Sequence, residues 1–163
     1  MRTNTGISLF VLLMAVVGVA ISGYLTSVHY ADVALVCSSD GVVDCHSVLT
    51  SSYAEVAGMP WSIGGIAWFG VSGALAATAL LRRPEPEWLQ PAQAAWGFIG
   101  VLTVVYLIGV EVLAVDRICL WCTAMHALIL LTFLLNLLRR PEDEEDDEAG
   151  ASTTQPRAQH LTL

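Results

Sequence analysis

Charge is scarce in this sequence and unevenly placed. Lysine is missing altogether, and all seven basic residues are arginine. Seven of the fifteen acids, Glu142, Asp143, Glu144, Glu145, Asp146, Asp147 and Glu148, form one run near the C-terminus, and without them the net charge of −8 falls nearly to zero. A chain without a basic face has no electrostatic footprint for nucleic acid, and no nucleic-acid or nucleotide motif is found. Internal repeats are also missing, which excludes a repeat architecture. Cysteine is limited to four residues, and only His46 accompanies the two in the first long loop. The spacing of those two is unlike the usual ligand turns, so a zinc or iron–sulfur site is disfavoured and no metal is expected.

What the chain has in excess is apolar surface: 55% of its 163 residues are hydrophobic, and its mean hydropathy is +0.64. That is far beyond an ordinary water-soluble domain, and the chain reads as a membrane protein. Crossing about 30 Å of hydrocarbon takes roughly 20 apolar residues in helix. Four segments qualify, at about 7–28, 63–81, 92–115 and 118–138, and none alternates like a barrel strand. The predicted fold is an all-α four-helix membrane bundle, residues 1–140, with a long loop after the first helix. His46 to Val56 in that loop is a candidate short interfacial helix. Residues 141–163 read as a disordered acidic tail. A cleaved signal peptide competes for the first segment, but its apolar run is longer than an ordinary h-region. Gly64, Gly65, Gly70 and Gly73, with Ala67 and Ala74, give the second span a small-residue surface suited to close packing.

Arginine sets the orientation, because short positively charged loops stay cytoplasmic. With four crossings Arg2, Arg82, Arg83, Arg139, Arg140 and Arg157 share one side, and only Arg117 lies opposite. Both termini are then cytoplasmic in a plasma or inner membrane. Trp61 and Trp121 fall near the outer interface and Trp88 near the inner one. All four cysteines, Cys37, Cys45, Cys119 and Cys122, face outward, where thiols oxidise and four of them permit three pairings.

The pair C-L-W-C opens the fourth span, where orphan backbone N–H groups and the helix dipole favour a thiolate. A bridge across two residues removes little unfolded-state entropy, so this pair points to redox chemistry rather than a staple. The loop pair Cys37 and Cys45, eight residues apart, reads by itself as a staple or as redox-active. Two pairs on one membrane face can form a relay, since exchange needs one thiolate to reach another pair's sulfur. Glu111, near the outer end of the third span, reads as a solvated end charge. Asp116 and Arg117 read as a charged cap for the fourth helix. His126 lies one turn after Cys122 on the same helical face, a candidate proton donor or an interhelical hydrogen bond.

Two cysteines in a long first loop, the stretch Thr50-Ser51-Ser52, G-M-P-W leading into a glycine-rich second span, and C-L-W-C at the head of the last together resemble the vitamin K epoxide reductase family. The resemblance covers about 7–138. It implies a thiol–quinone oxidoreductase: Cys37 exchanges with a separate extracytoplasmic thioredoxin-like protein, Cys45 attacks Cys119, and Cys122 passes electrons to a membrane quinone of the menaquinone, ubiquinone or vitamin K type. It implies a quinone site built by Trp61, Ser51, Trp121 and His126. Trp61 stands where vertebrate members carry an Asn near the quinone oxygen, and His126 where they carry a Tyr. Losing the Asn bears against epoxide turnover, the alternative activity on the same cysteines. A disulfide-stapled scaffold without activity is the reading from another class.

Overall fold

The computed structural model describes residues 2–31, 35–37, 41–82 and 84–139. The expected tail at 141–163, together with Arg83, Arg140 and Arg157, lies outside the described residues. Helix α1 spans Arg2–Ala31, short α2 Cys45–Leu49, α3 Trp61–Leu81, α4 Leu89–Gly109 and α5 Leu120–Leu137. A π-helical stretch, Val110–Val115, extends α4 without a break. Four helices among the described residues are long and apolar enough to cross a bilayer, which is the all-α four-span bundle expected.

Proline and cysteine punctuate these elements. Pro60 precedes α3 at an extended backbone angle, and Pro84 follows its last residue by three positions. Pro91 falls in the first turn of α4, where its missing N–H has no intrahelical acceptor to lose. Cys119 caps α5, its Sγ accepting the Cys122 backbone N–H at 3.3 Å. Between the third and fourth spans Asp116 takes a left-handed conformation (φ 54°), and the Arg117 N–H closes the turn onto the Glu111 carbonyl at 3.1 Å.

In the bundle α1 packs along α3, α4 along α5, and α1 also meets α5. Lipid offers no hydrophobic drive between helices, so packing rests on close fit. The core gathers Ala15, Trp68, Phe69, Val104, Met125 and Ile129. Trp68 and Trp96 each donate an indole N–H to the other's carbonyl, at 3.4 and 3.2 Å, tying α3 to α4. Part of the small-residue surface of α3 serves as expected: Gly65 and Gly73 face α1, where an added methyl would meet Ser22 Oγ and Ala15 Cβ. Gly64 and Gly70 meet no neighbouring helix, and the tightest glycine contact is Gly18 of α1 against the Phe69 ring.

The loop after α1 is more varied than an interfacial helix. Helix α2 ends at Leu49, and a two-residue hairpin follows, β1 (Glu55–Val56) against β2 (Met59–Pro60). Ala57 and Gly58 turn it with φ of 54° and 78°, both positive as a tight primed turn requires. At the opposite end of the bundle Arg139 is buried. Its guanidinium grips both Glu85 carboxylate oxygens at 2.7 and 2.8 Å and Gln93 Oε1 at 2.7 Å.

Candidate functional site

The loop reaches α5 through the backbone. Asp44 donates its N–H to the Ile118 carbonyl at 3.1 Å, and Ile118 donates to the Val42 carbonyl at 2.9 Å. This parallel bridge pairs Val43 with Ile118, and a cysteine follows on each strand, Cys45 two residues after Val43 and Cys119 directly after Ile118. Both are almost fully buried and share a cluster with Val48, flanked by Leu35, Cys37, Val115, Trp121 and Cys122. The register of two backbone hydrogen bonds thus brings two cysteines 74 positions apart in sequence into one buried cluster.

Local capping fixes each cysteine. Asp44 caps α2, its carboxylate accepting the Ser47 backbone N–H at 3.1 Å and the Ser47 hydroxyl at 2.6 Å, which holds its pKa below the usual carboxylate value. The chain therefore turns into helix at Cys45. Cys37 and Cys45 are joined as a disulfide, while Cys119 and Cys122 are free thiols. The Cys122 thiol and backbone N–H both donate toward Cys119 Sγ and hold the Cys119 thiol below the ordinary thiol range, against the opposing effect of burial. A thiol so placed is primed to act as a thiolate.

Trp121 holds the approach to Cys37. Its indole N–H donates to the Val36 carbonyl at 3.0 Å, and its ring packs on Tyr24, whose hydroxyl accepts the Val36 N–H at 3.0 Å. It stands outside the wall of the neighbouring cavity, so the structure gives it a loop-fastening position.

That cavity, about 200 Å³, lies between α1, α3, α4 and α5 beneath the loop. Its wall is largely apolar and includes Ser51, Trp61, Cys122 and His126, four of the residues singled out in the sequence. Apolar lining with a few convergent polar groups is the usual character of a small-molecule site. Two buried polar atoms in the wall have no hydrogen-bond partner among the described residues: Trp61 Nε1 and Ser22 Oγ. An unpaired buried donor costs about 1–3 kcal/mol, which a ligand bearing acceptor oxygens offsets. The quinone class supplies such oxygens on an apolar ring, and this wall fits it. Ser51 turns its hydroxyl to the Val48 carbonyl at 2.9 Å. His29, at the end of α1, pairs with Glu55 of the hairpin at 3.3 Å.

Glu111 corrects the expectation of a solvated end charge. It continues the buried face of α4 seven positions after Val104, is 6% exposed, and reaches the Cys122 thiol and the Cys119 backbone N–H. Ser22 was likewise not singled out: a serine in an apolar span gives no sign of which helix it faces. For Glu111 the available signal was an acid inside a run otherwise uncharged from Ala92 to Val115.

The four cysteines, the disulfide and the apolar cavity sit in one corner of a four-span bundle. Residues 9–137 match the sequence profile of the vitamin K epoxide reductase family. Comparison with individual curated proteins finds no match. The chain belongs to the vitamin K epoxide reductase family, a family of thiol–disulfide and quinone oxidoreductases.

Proposed function

We propose that this protein takes electrons from a separate extracytoplasmic thioredoxin-like protein and passes them to a membrane quinone through its four cysteines. The observation that carries this reading is the buried juxtaposition of Cys45 and Cys119, with Cys122 facing the apolar cavity. The cysteine corner faces outward and both termini face the cytoplasm. Arg82 and Arg139 at the opposite end of the bundle support that orientation.

A partner thiolate attacks Cys37 Sγ and breaks the Cys37–Cys45 bond, and the partner's second thiol releases itself as a disulfide. With the loop pair then reduced, Cys45 attacks an oxidised Cys119–Cys122 bond at Cys119 Sγ, and Cys122 leaves as a thiol. Cys37 closes on Cys45 and frees Cys119. The result is the arrangement observed: loop pair bonded, helix pair free. Burial of Cys45 and Cys119 excludes water and small thiols from the exchanging sulfurs, while the lowered Cys119 pKa keeps it a good leaving group. A bound quinone supplies a two-electron, two-proton sink. Trp61 Nε1 and Ser22 Oγ would hold its oxygens, and His126, buried in the same wall, is placed to donate a proton.

The test is stoichiometric. Dithiothreitol-reduced protein in lipid nanodiscs should lose two thiols per quinone reduced, and the chain should restore disulfide formation in cells lacking their own membrane disulfide oxidase. If quinone leaves the thiol count unchanged, the bundle is a stapled scaffold and this reading fails.

A further inference from the structure

Glu111 is a carboxyl in a place where a membrane helix tolerates no idle charge. It is 6% exposed, lines the same cavity as Cys122, and reaches the Cys122 thiol. Its one near arginine is committed elsewhere: Arg117 Nη1 lies 2.6 Å from the Asp116 carbonyl and 3.8 Å from the Asp116 carboxylate. Among the described residues Glu111 has no ion pair. A π turn aligns backbone by five residues rather than four, and such turns recur at functional positions. Here Glu111 continues the buried face of α4, seven positions after Val104, at the start of the π turn, while Val112 and Leu113 beside it stand exposed.

We propose that Glu111 is the proton acceptor of Cys122, taking the thiol proton as that sulfur gives up electrons and returning it to the reduced acceptor. The inference rests on the thiol–quinone reading above. Closing the Cys119–Cys122 disulfide releases two electrons and two protons, and all four end on the quinone, which leaves as hydroquinone. Glu111 carries the proton from Cys122 Sγ and is regenerated as carboxylate. The other titratable groups around this reaction are Cys119 and His126 of α5, His29 of α1 and Tyr53 of the loop. Helix α2, which carries His46, packs on the π turn, and Asp116 and Arg117 follow that turn in sequence. Besides Glu111, Cys119 alone among these described groups contacts the Cys122 thiol, and Cys119 is itself a reactant.

Alkylation separates this role from the rest of the cycle. Reduced full-length protein in nanodiscs, without quinone, is treated with N-ethylmaleimide between about pH 6 and 9. Modification of Cys122 is followed by peptide mass spectrometry. A carboxylate that takes the proton makes the wild-type rate nearly flat with pH. Glu111→Gln should slow it by about a hundredfold at the acid end, rise with pH, and converge on wild type at the alkaline end. Glu111→Asp should fall between. A carboxylate that merely sits beside the thiol would repel the thiolate, so Glu111→Gln alkylating as fast as wild type or faster at every pH overturns the proposal. Equal slowing at all pH values, with the profile unchanged, also overturns it, since that marks a steric effect. Wild-type protein that alkylates as expected yet passes no electrons to quinone sinks the function proposed above and leaves Glu111's role standing.

Discussion

Replacing Trp61 by Phe isolates one atom of the cavity wall. The substitution removes Nε1–H and two carbons, and keeps an aromatic ring near Tyr106, whose centroid lies 5.8 Å from that of Trp61. In the ligand-free protein two effects oppose each other. Deleting an unpaired buried donor relieves about 1–3 kcal/mol, and the lost carbons forfeit about 1–2 kcal/mol of burial. Stability should therefore stay within about 1 kcal/mol of wild type. Binding has no such balance. A quinone oxygen left unpaired in an apolar wall costs about 1–3 kcal/mol, so affinity should fall roughly 5- to 150-fold. Thermal unfolding and equilibrium titration with a short-chain quinone, both in nanodiscs, measure the two quantities separately. Unchanged affinity would show that Trp61 does not hold the ring oxygen. A large loss of stability would show instead that the indole N–H has a structural partner.

Three further outcomes follow from the same geometry. Cys122→Ser removes the thiol that resolves exchange at Cys119, so a Cys45–Cys119 disulfide should accumulate in cells, read by non-reducing peptide mapping; a persistent mixture of unrelated pairings would contradict the relay order. Arg139→Ala leaves the Glu85 carboxylate without its guanidinium in a nearly dry site, and should destabilise the fold by about 3–5 kcal/mol in denaturant titrations, whereas a cost under about 1 kcal/mol would mean the pair is solvated. Because the Cys122 thiol and N–H hold Cys119 below the ordinary thiol range, its charged form persists at lower pH. Acid-quenched exchange with the loop pair should keep its rate as pH falls below about 8.5 and decline only when Cys119 itself protonates; a decline centred on the ordinary thiol value would refute the primed thiolate.

Apolar run length and arginine placement determined the four spans, because a bilayer demands about 20 apolar residues per helix and nothing else satisfies the backbone there. The span ends fell within a few residues of those expected, as at 63–81 against Trp61–Leu81. Cysteine spacing likewise marked both pairs and the helix that C-L-W-C caps, since capping is local chemistry. What spacing could not carry was register. That Cys45 meets Cys119 depends on two hydrogen bonds between Asp44, Ile118 and Val42, contacts between segments far apart in sequence. The inward direction of Glu111 follows α-helical spacing, seven positions after buried Val104 and fourteen after Gly97, but that this end of the span is covered rather than solvated depended on α2 and α5 packing against it. Trp121 and Trp61 are both aromatic residues near one interface, yet one fastens the loop and the other walls the cavity. Composition placed both at the boundary, and only the packing of α1, α3 and α5 around them decided which way each ring would point.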